Sequence, residues 1–361
     1  MSRPLRVAAV VHAYPGDHNA GAEWALHEML AALARRGHAP SVHLTQWAAT
    51  REPYRIDGVQ VFPAGSGDPL SRLAVRSDAL VTHLENVPPV ASVARGHGRP
   101  LIVLCHNTFD LTWQPLSAGS CALAVMNSTW MLNLAETRLA DGPHRPDRML
   151  MVRPPVHAAD YRTAPGECIT LVNCTATKGV GVLAALAERM PDRKFLAVRG
   201  GYGEQQPPDL PNVVVLDHTD GRAMRDEVYA RTRILVMPSD YESWGRVGIE
   251  AMASGIPVIA HPTEGLRESL GGAGIFADRT DIDAWQHAIE ALDDAASYRV
   301  AQRRARARSK ALDPAADLAA WCDAVEEVCG ACTSSRGDSG DRPSGAADAG
   351  RLRKRRSGTA S

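Results

Sequence analysis

Short apolar runs alternate with segments of helical spacing along most of the chain. The first run covers residues 5–11 and predicts a buried β-strand. The segment that follows Gly21 has apolar residues three and four positions apart, from Ala25 to Leu33, and predicts a helix. Such βα alternation favours a parallel sheet with helices on both faces. Further strands are predicted at residues 41–45, 59–62, 79–83, 101–105, 122–126, 169–173, 194–198, 213–216, 234–237, 258–260 and 275–277.

The same pattern divides the chain into parts. Pro, Ala and Gly interrupt the periodicity at residues 154–166, where we place a hinge. The chain from about residue 333 has almost no apolar residues and is typical of a disordered tail. The predicted parts are an α/β domain at 1–155, a second at 166–312, a last helix at 313–332 and the tail at 333–361. Further helices are predicted at residues 128–139, 178–190, 222–231, 281–292, 295–312 and 314–328.

Residues 234–262 combine a strand, a loop, a helix and a second strand. Glu242 lies in the loop and Glu250 lies in the helix that begins about Gly245, with seven residues between the two carboxylates. The amides of a helix N-terminus favour an anion such as a phosphate. Glu250 lies about two turns further on, and its carboxylate suits a vicinal diol such as a ribose. The alternative is a solvated pair of glutamates on an ordinary βα unit.

This stretch, with its ESWG and EAMASGIPVIA segments, resembles the E-x7-E signature of retaining GT-B glycosyltransferases, in particular glycosyltransferase family 4. The resemblance covers about residues 5–330. It implies two Rossmann-like domains that face each other across a cleft, with the last helix crossing back to the first domain. It also implies that Glu250 holds the nucleotide ribose. Glu242 and the amides of the neighbouring segment would contact the donor sugar and diphosphate; that segment is Trp244, Gly245, Arg246 and Val247.

Other donor-binding residues follow from the same resemblance. Gly21 would lie under the donor phosphates, and the alternative for it is a helix cap. Lys178, followed by Gly179, matches the family's diphosphate-binding lysine, and the alternative is a solvated lysine at a helix start. Asn173 stands where the family has an arginine, so another cation must serve the diphosphate. The candidates are Arg199, Arg246 and Arg267.

His106 follows a predicted strand, at the edge where ligands of parallel sheets collect. The resemblance implies that it faces the donor sugar, whereas the alternative is a histidine that hydrogen-bonds its own loop. Residues 108–119 are predicted to be a loop. Its Phe109 and Trp113 could stack on an acceptor or pack the loop itself.

Composition limits the functional classes. The formal net charge is −1, so no overall field drives the protein toward nucleic acid or membrane. No segment has the apolar length of a membrane helix. The basic cluster at 351–356 could touch an anionic surface or could be a solvated tail. The first residues could form a signal peptide, but they pass directly into a strand, so we expect a cytoplasmic protein.

Cysteine usage gives a similar picture. The seven cysteines are odd in number and most lie in apolar runs, which favours reduced, buried thiols. Cys329 and Cys332 have CxxC spacing, with Cys322 nearby, but no fourth zinc ligand is evident. We therefore expect no metal site.

The sequence thus predicts a retaining hexosyl- or pentosyltransferase that uses a nucleotide sugar, with UDP- or GDP-sugars favoured. No Asp-x-Asp motif stands at a predicted strand end, so we expect metal-independent transfer without a cofactor. The acceptor stays open among small metabolites, lipids, glycans, proteins and modified nucleic acids, and so does the oligomeric state. The alternatives are a GT-B-fold epimerase or phosphorylase and a nucleotide-sugar-binding protein without turnover.

Overall fold

A computed structural model describes residues 3–16, 18, 20–46, 50–119, 121–140, 142 and 144–337. The first sheet has the strand order β3-β4-β2-β1-β5-β6-β7-β8. All its pairings are parallel except that of the edge strand β3 with β4. Its strands are β1 (Arg6–Val11), β2 (Ala39–Leu44), β3 (Tyr54–Ile56), β4 (Val59–Phe62), β5 (Ala79–Thr82), β6 (Leu101–Cys105), β7 (Leu123–Met126) and β8 (Met149–Met151).

The second sheet is parallel throughout and has the strand order β11-β10-β9-β12-β13-β14. The strand order reverses beside β9 here and beside β1 in the first sheet. Ligands of open parallel sheets bind at such switch points, outside the carboxyl ends of the strands. The strands are β9 (Cys168–Val172), β10 (Phe195–Val198), β11 (Val213–Leu216), β12 (Thr232–Met237), β13 (Val258–Ala260) and β14 (Ile275–Phe276).

Helices cover both faces of each sheet. Alternate residues of β1 pack into two different apolar clusters, Val7 and Ala9 on one face and Ala8 and Val10 on the other. The same alternation occurs in the second sheet. The α-helices are α1 (Gly21–Arg35), α2 (Leu70–Arg76), α3 (Val87–Gly96), α4 (Asp110–Ala118), α5 (Thr129–Arg138), α6 (Ala158–Tyr161), α7 (Val180–Arg189), α8 (Arg246–Ala253), α9 (Glu264–Leu270), α10 (Ile282–Glu290), α11 (Ala295–Ala311) and α12 (Ala315–Gly337).

The last helix, α12, packs on the first sheet. Trp321 is fully buried there and donates its indole N–H to the carbonyl of Met29 at 2.9 Å. Asp317 forms an ion pair with Arg153 at 2.6 Å. The helix continues to Gly337, beyond the predicted start of the tail at 333, and the rest of the tail lies outside the described residues. The predicted domain limits stay predictions.

Two segments differ from their predicted structure. Residues 108–119 contain helix α4 instead of a loop, because Trp113 and Leu116 turn inward together and are buried. Trp113 therefore cannot stack on an acceptor, whereas Phe109 is exposed. The helix predicted at 222–231 is a π-helical turn over Met224–Val228, followed by a 3-10 turn over Tyr229–Arg231. The wider turn lets Met224 and Tyr229, five residues apart, both reach the core.

The remaining expectations concern membranes, thiols and metals. Among the described residues, the helices are all too short or too polar to cross a bilayer. Six described cysteines are free and buried; Cys332 lies outside the residues whose side chains are described. The described residues contain no group of three or more His, Cys, Asp or Glu side chains with metal-binding geometry.

Candidate active site

A cavity of about 900 Å³ lies between the two sheets, at their switch points. The segments after β1, β5 and β6 line it from the first domain, and those after β9, β10 and β12 line it from the second. The carboxyl ends of strands from both sheets therefore face one another across one space. A cavity of this size can enclose a ligand with several polar groups.

Lys178 and Glu242 form an ion pair on the second-domain wall of the cavity. Ser239 donates a further hydrogen bond to the same Glu242 oxygen at 3.1 Å. Gly179 makes this approach possible, since it has φ +85° and a β-carbon there would lie 2.6 Å from the carbonyl oxygen of Pro238. The backbones of the loops after β9 and β12 thus touch, which brings the predicted lysine and glutamate together.

Helix α8 begins at this wall. Gly245 precedes it with φ +83° and offers no side chain to cap the first amides. Gly245, Arg246 and Val247 line the cavity with Trp244, whose side chain is buried and whose indole N–H has no hydrogen-bond partner among the described residues. Uncapped helix amides and a positive helix end favour an anion at this point.

Glu250 lies further along α8 and is 5% exposed. Tyr229 donates a hydrogen bond to its Oε2 at 2.6 Å, and the Arg246 guanidinium lies 3.3 Å from its Oε1. Burial, together with the adjacent Glu250 charge, raises the pKa of Tyr229 well above its ordinary value, so the phenol stays a donor. Glu250 lines the cavity as a fixed carboxylate rather than as a solvated one.

The three candidate phosphate-binding arginines have different positions. Arg199 lines the cavity and lies 3.5 Å from the exposed carboxylate of Asp217. Arg246 also lines it, although its guanidinium is buried and donates to the hydroxyl of Tyr161 at 3.0 Å. Arg267 does not line the cavity: its guanidinium donates to the carbonyl of Pro262 at 3.1 Å and lies over the ring of Phe276. Its role as a phosphate ligand stays a prediction.

Asn173, which stands in place of the family arginine, has an unusual backbone. Its φ is +77°, in the left-handed region that asparagine tolerates better than most residues. Its side chain accepts hydrogen bonds from the amide of Thr175 and from Gln205, both at 3.2 Å. Asn173 also lies close to Gly200, where a β-carbon would be 2.4 Å from its Cγ. A side chain at residue 200 would therefore collide with Asn173, so Gly200 allows this packing.

The first-domain wall contains the predicted Gly21 and His106. Gly21 faces α8, since a β-carbon there would lie 3.9 Å from Cβ of Arg246. The carbonyl of His106 accepts hydrogen bonds from Ser243 at 2.5 Å and from Asn127 at 3.2 Å. The bond from Ser243 joins the second domain to the first. The His106 ring lines the cavity, and its Nε2 has no hydrogen-bond partner among the described residues. Burial lowers the pKa of His106 to about 4, so the ring is neutral at neutral pH.

Four further cavity residues were not predicted: His12, His83, Glu23 and Tyr202. His12 and His83 follow β1 and β5, and their rings stack with centroids 4.9 Å apart. Tyr202 reaches across the cleft and donates to Oε1 of Glu23 at 2.6 Å. His106 was singled out because it directly follows a strand. His12 and His83 also directly follow strands, so the same criterion could have identified both. Asn19, in the loop between β1 and α1, lies outside the described residues.

Comparisons with known proteins agree with this architecture. Residues 172–294 match the family model of glycosyl transferases group 1. O-antigen chain mannosyltransferase B of Escherichia coli is 38% identical over 84 residues, which are 23% of this chain and 22% of that protein. The match to this relative therefore spans about a fifth of its length.

Solved structures match over nearly the whole chain. Sucrose-phosphate synthase from Thermosynechococcus elongatus has a TM-score of 0.71 and 17% identity, over 92% of this chain and 100% of that one. Anabaena Alr3699/HepE in complex with UDP-glucose has a TM-score of 0.67 and 16% identity, over 91% of this chain and 100% of that one. The α/β GT-B architecture predicted from the sequence is confirmed.

Proposed function

We propose that the protein is a retaining glycosyltransferase that moves a hexosyl or pentosyl group from a nucleotide sugar to an acceptor hydroxyl. The observation that carries the proposal is the second-domain wall of the cavity. The Lys178–Glu242 pair, the N-terminus of α8 and the buried Glu250 carboxylate all line it. The group 1 model covers this wall, and HepE, a structural relative, was solved with UDP-glucose.

The charges of this wall favour one orientation of the nucleotide-sugar donor. The diphosphate would lie at the N-terminus of α8 and at Lys178, where positive charge is concentrated. Glu250 would accept hydrogen bonds from the ribose hydroxyls. This order places the donor sugar toward Glu242 and the neutral ring of His106. UDP- and GDP-sugars are the favoured donors.

Catalysis would rest on charge stabilisation at the leaving group. As the bond between the anomeric carbon and the phosphate oxygen breaks, Lys178, Arg199 and the α8 amides would stabilise the charge of the nucleoside diphosphate. The acceptor oxygen would form its new bond to the same face of that carbon. Its proton would pass to the departing phosphate oxygen. No step requires a covalent bond between sugar and protein.

A second candidate is a nucleotide-sugar-binding protein without turnover. Asn173 favours it, because this uncharged residue stands where the sequence resemblance predicts a diphosphate-binding arginine. Binding would then persist while leaving-group stabilisation is too weak for transfer.

Release of nucleoside diphosphate from UDP- and GDP-sugars distinguishes the two candidates. The glycosyltransferase should release product above background, and Lys178→Ala should reduce the rate at least about 100-fold, as expected when one preorganised charge is removed. Lys194→Ala is the matched control, since Lys194 is exposed and pairs with Glu167 away from the cavity. Binding without product release would favour the second candidate. Anomeric configuration of the product, measured by NMR, tests retention.

A further inference from the structure

The two walls of the cavity differ in charge. Three cations line it, Lys178, Arg199 and Arg246, and all belong to the second domain. Among the described residues of the first-domain wall there is neither lysine nor arginine. This asymmetry suits a ligand whose charged part lies on the second domain and whose part against the first domain is uncharged.

Glu23 gives the first-domain wall a negative group. It is 2% exposed and lies in the first turn of α1. Burial alone would raise its pKa, but the interactions with His12 and Tyr202 lower the pKa below its ordinary value, so the group is ionised. Tyr202 occupies Oε1, while Oε2 has no hydrogen-bond partner among the described residues. A buried carboxylate oxygen without a partner is costly unless a ligand donates a hydrogen bond to it.

The imidazoles beside Glu23 are also available to a ligand. Burial holds the pKa of His83 well below its ordinary value and that of His106 at about 4. Both rings are therefore neutral, and each has one donor and one acceptor nitrogen. Neither His83 nitrogen, nor Nε2 of His106, has a hydrogen-bond partner among the described residues.

The third imidazole, His12, does not make this wall cationic. Interaction with the Glu23 carboxylate raises its pKa, and Glu85 lies 3.2 Å from its other nitrogen. Any positive charge on His12 is thus held between two carboxylates. A phosphate ester at this wall would meet the Glu23 carboxylate without a lysine or arginine, among the described lining residues of the first domain, to balance its charge.

We propose that the acceptor is an uncharged polyol, such as a free sugar or cyclitol, and that Glu23 determines this specificity. A hydroxyl of the acceptor donates to Oε2 of Glu23, and other hydroxyls pair with His83 and His106. Hydroxyls both donate and accept, so they satisfy a carboxylate and neutral imidazoles together, whereas a phosphate dianion only accepts. This inference rests on the proposed glycosyltransferase function.

Matched acceptors test the proposal directly. With the nucleotide sugar that the enzyme hydrolyses, transfer is measured to glucose, mannose, myo-inositol and glycerol, and to a phosphate monoester of each. We expect transfer to at least one uncharged polyol, at a kcat/KM at least about tenfold above that of its phosphate ester. A phosphate group in place of a hydroxyl cannot donate to Glu23, so Oε2 of the buried carboxylate would stay without a hydrogen-bond donor.

Two variants test the role of the wall. Glu23→Gln keeps the side-chain shape but removes the charge, and should raise the KM of the uncharged acceptor about tenfold or more, with a smaller change in the kcat of transfer. Phe109→Arg adds a cation at an exposed cavity position and should improve use of the phosphate ester. Val75→Arg, at an equally exposed position away from the cavity, is the control.

The outcomes separate this inference from the function on which it rests. Preference for a phosphate ester, or donor hydrolysis without transfer to any of the uncharged polyols, would overturn the inference and leave the glycosyltransferase proposal standing. Equal acceptor KM values in Glu23→Gln and the unmodified protein would also overturn it. Absence of donor turnover, with or without nucleotide binding, would instead remove the proposed function, and the inference with it.

Discussion

Neighbouring side chains fix the position of the Glu250 carboxylate in the cavity. Tyr229 donates to one carboxylate oxygen, and Arg246 lies beside the other. The carboxylate is therefore oriented before any ligand arrives, so a ribose does not have to order it. Its burial also means that removal of the whole side chain would damage the core. For this reason we use Glu250→Gln rather than Glu250→Ala as the informative variant.

Removal of the Tyr229 hydroxyl should weaken both the fold and the site. Tyr229→Phe loses a hydrogen bond to a buried charge, which costs about 1.5–3 kcal/mol of unfolding free energy, and nucleoside diphosphate affinity should fall with it. Tyr298→Phe is the control, because its hydroxyl donates to the carbonyl of Arg233 far from the cavity lining. Thermal melts and calorimetric titration measure the two effects. Unchanged nucleotide affinity in Tyr229→Phe would contradict the preorganised role of Glu250.

Buried histidines should make stability depend on pH. Burial lowers the pKa of His43 from 6.5 to about 4 in the folded protein, so between these values the unfolded state binds a proton that the native state does not. Stability therefore falls as pH drops below 6.5, by about 2 kcal/mol at pH 5 for this residue. Between pH 7 and pH 5, the unfolding free energy of His43→Gln should therefore fall by about 2 kcal/mol less than that of the unmodified protein. Denaturant unfolding at the two pH values measures this difference. His287→Gln, at an exposed position on α10, should behave like the unmodified protein.

At the scale of elements, the site depends on how loops leave the strands. The loops after β9 and β12 touch at Gly179 and Pro238, and this contact brings Lys178 to Glu242. Helix α9 contributes a contact between domains, since the Glu268 carboxylate accepts hydrogen bonds from the first two amides of α5, both at 2.8 Å. Both contacts join parts of the chain that are far apart in sequence.

Substitution of Gly179 should disturb the contact between the loops after β9 and β12. Gly179→Ala forces a left-handed residue to carry a β-carbon against the backbone of Pro238, and we expect a loss of about 1–3 kcal/mol. Nucleotide affinity should also fall, because the loop that carries Lys178 must move. Gly181→Ala is a control with an expected effect of opposite sign. Gly181 lies in α7 with open space around it, so the substitution should raise the unfolding free energy by about 0.5–1 kcal/mol. Equal melting temperatures for the two variants would contradict the argument.

At the scale of the whole molecule, the sequence predicted more of the fold than of the site. Apolar runs located most strands within one or two residues, because each run packs against helices on both faces of its sheet. The segment at 108–119 was predicted wrongly as a loop, because the packing of Trp113 decided its structure. The segment at 222–231 is helical as predicted, but with π-helical and 3-10 turns that bring Tyr229 into the core. His12, His83 and Glu23 come together with His106 only through the strand order of the first sheet, which local periodicity does not encode.

The central claim is that the second-domain wall binds a nucleoside diphosphate. Thermal stability with UDP, GDP, ADP and dTDP, each with and without EDTA, tests it most directly. A ligand at a hundredfold its dissociation constant adds about 2.7 kcal/mol to the unfolding free energy, which raises the melting temperature by a few degrees. We predict that UDP or GDP produces this shift, that EDTA does not abolish it, and that Glu250→Gln loses most of it. If none of the four nucleotides raises the melting temperature, the wall does not bind a nucleotide and the glycosyltransferase account is contradicted.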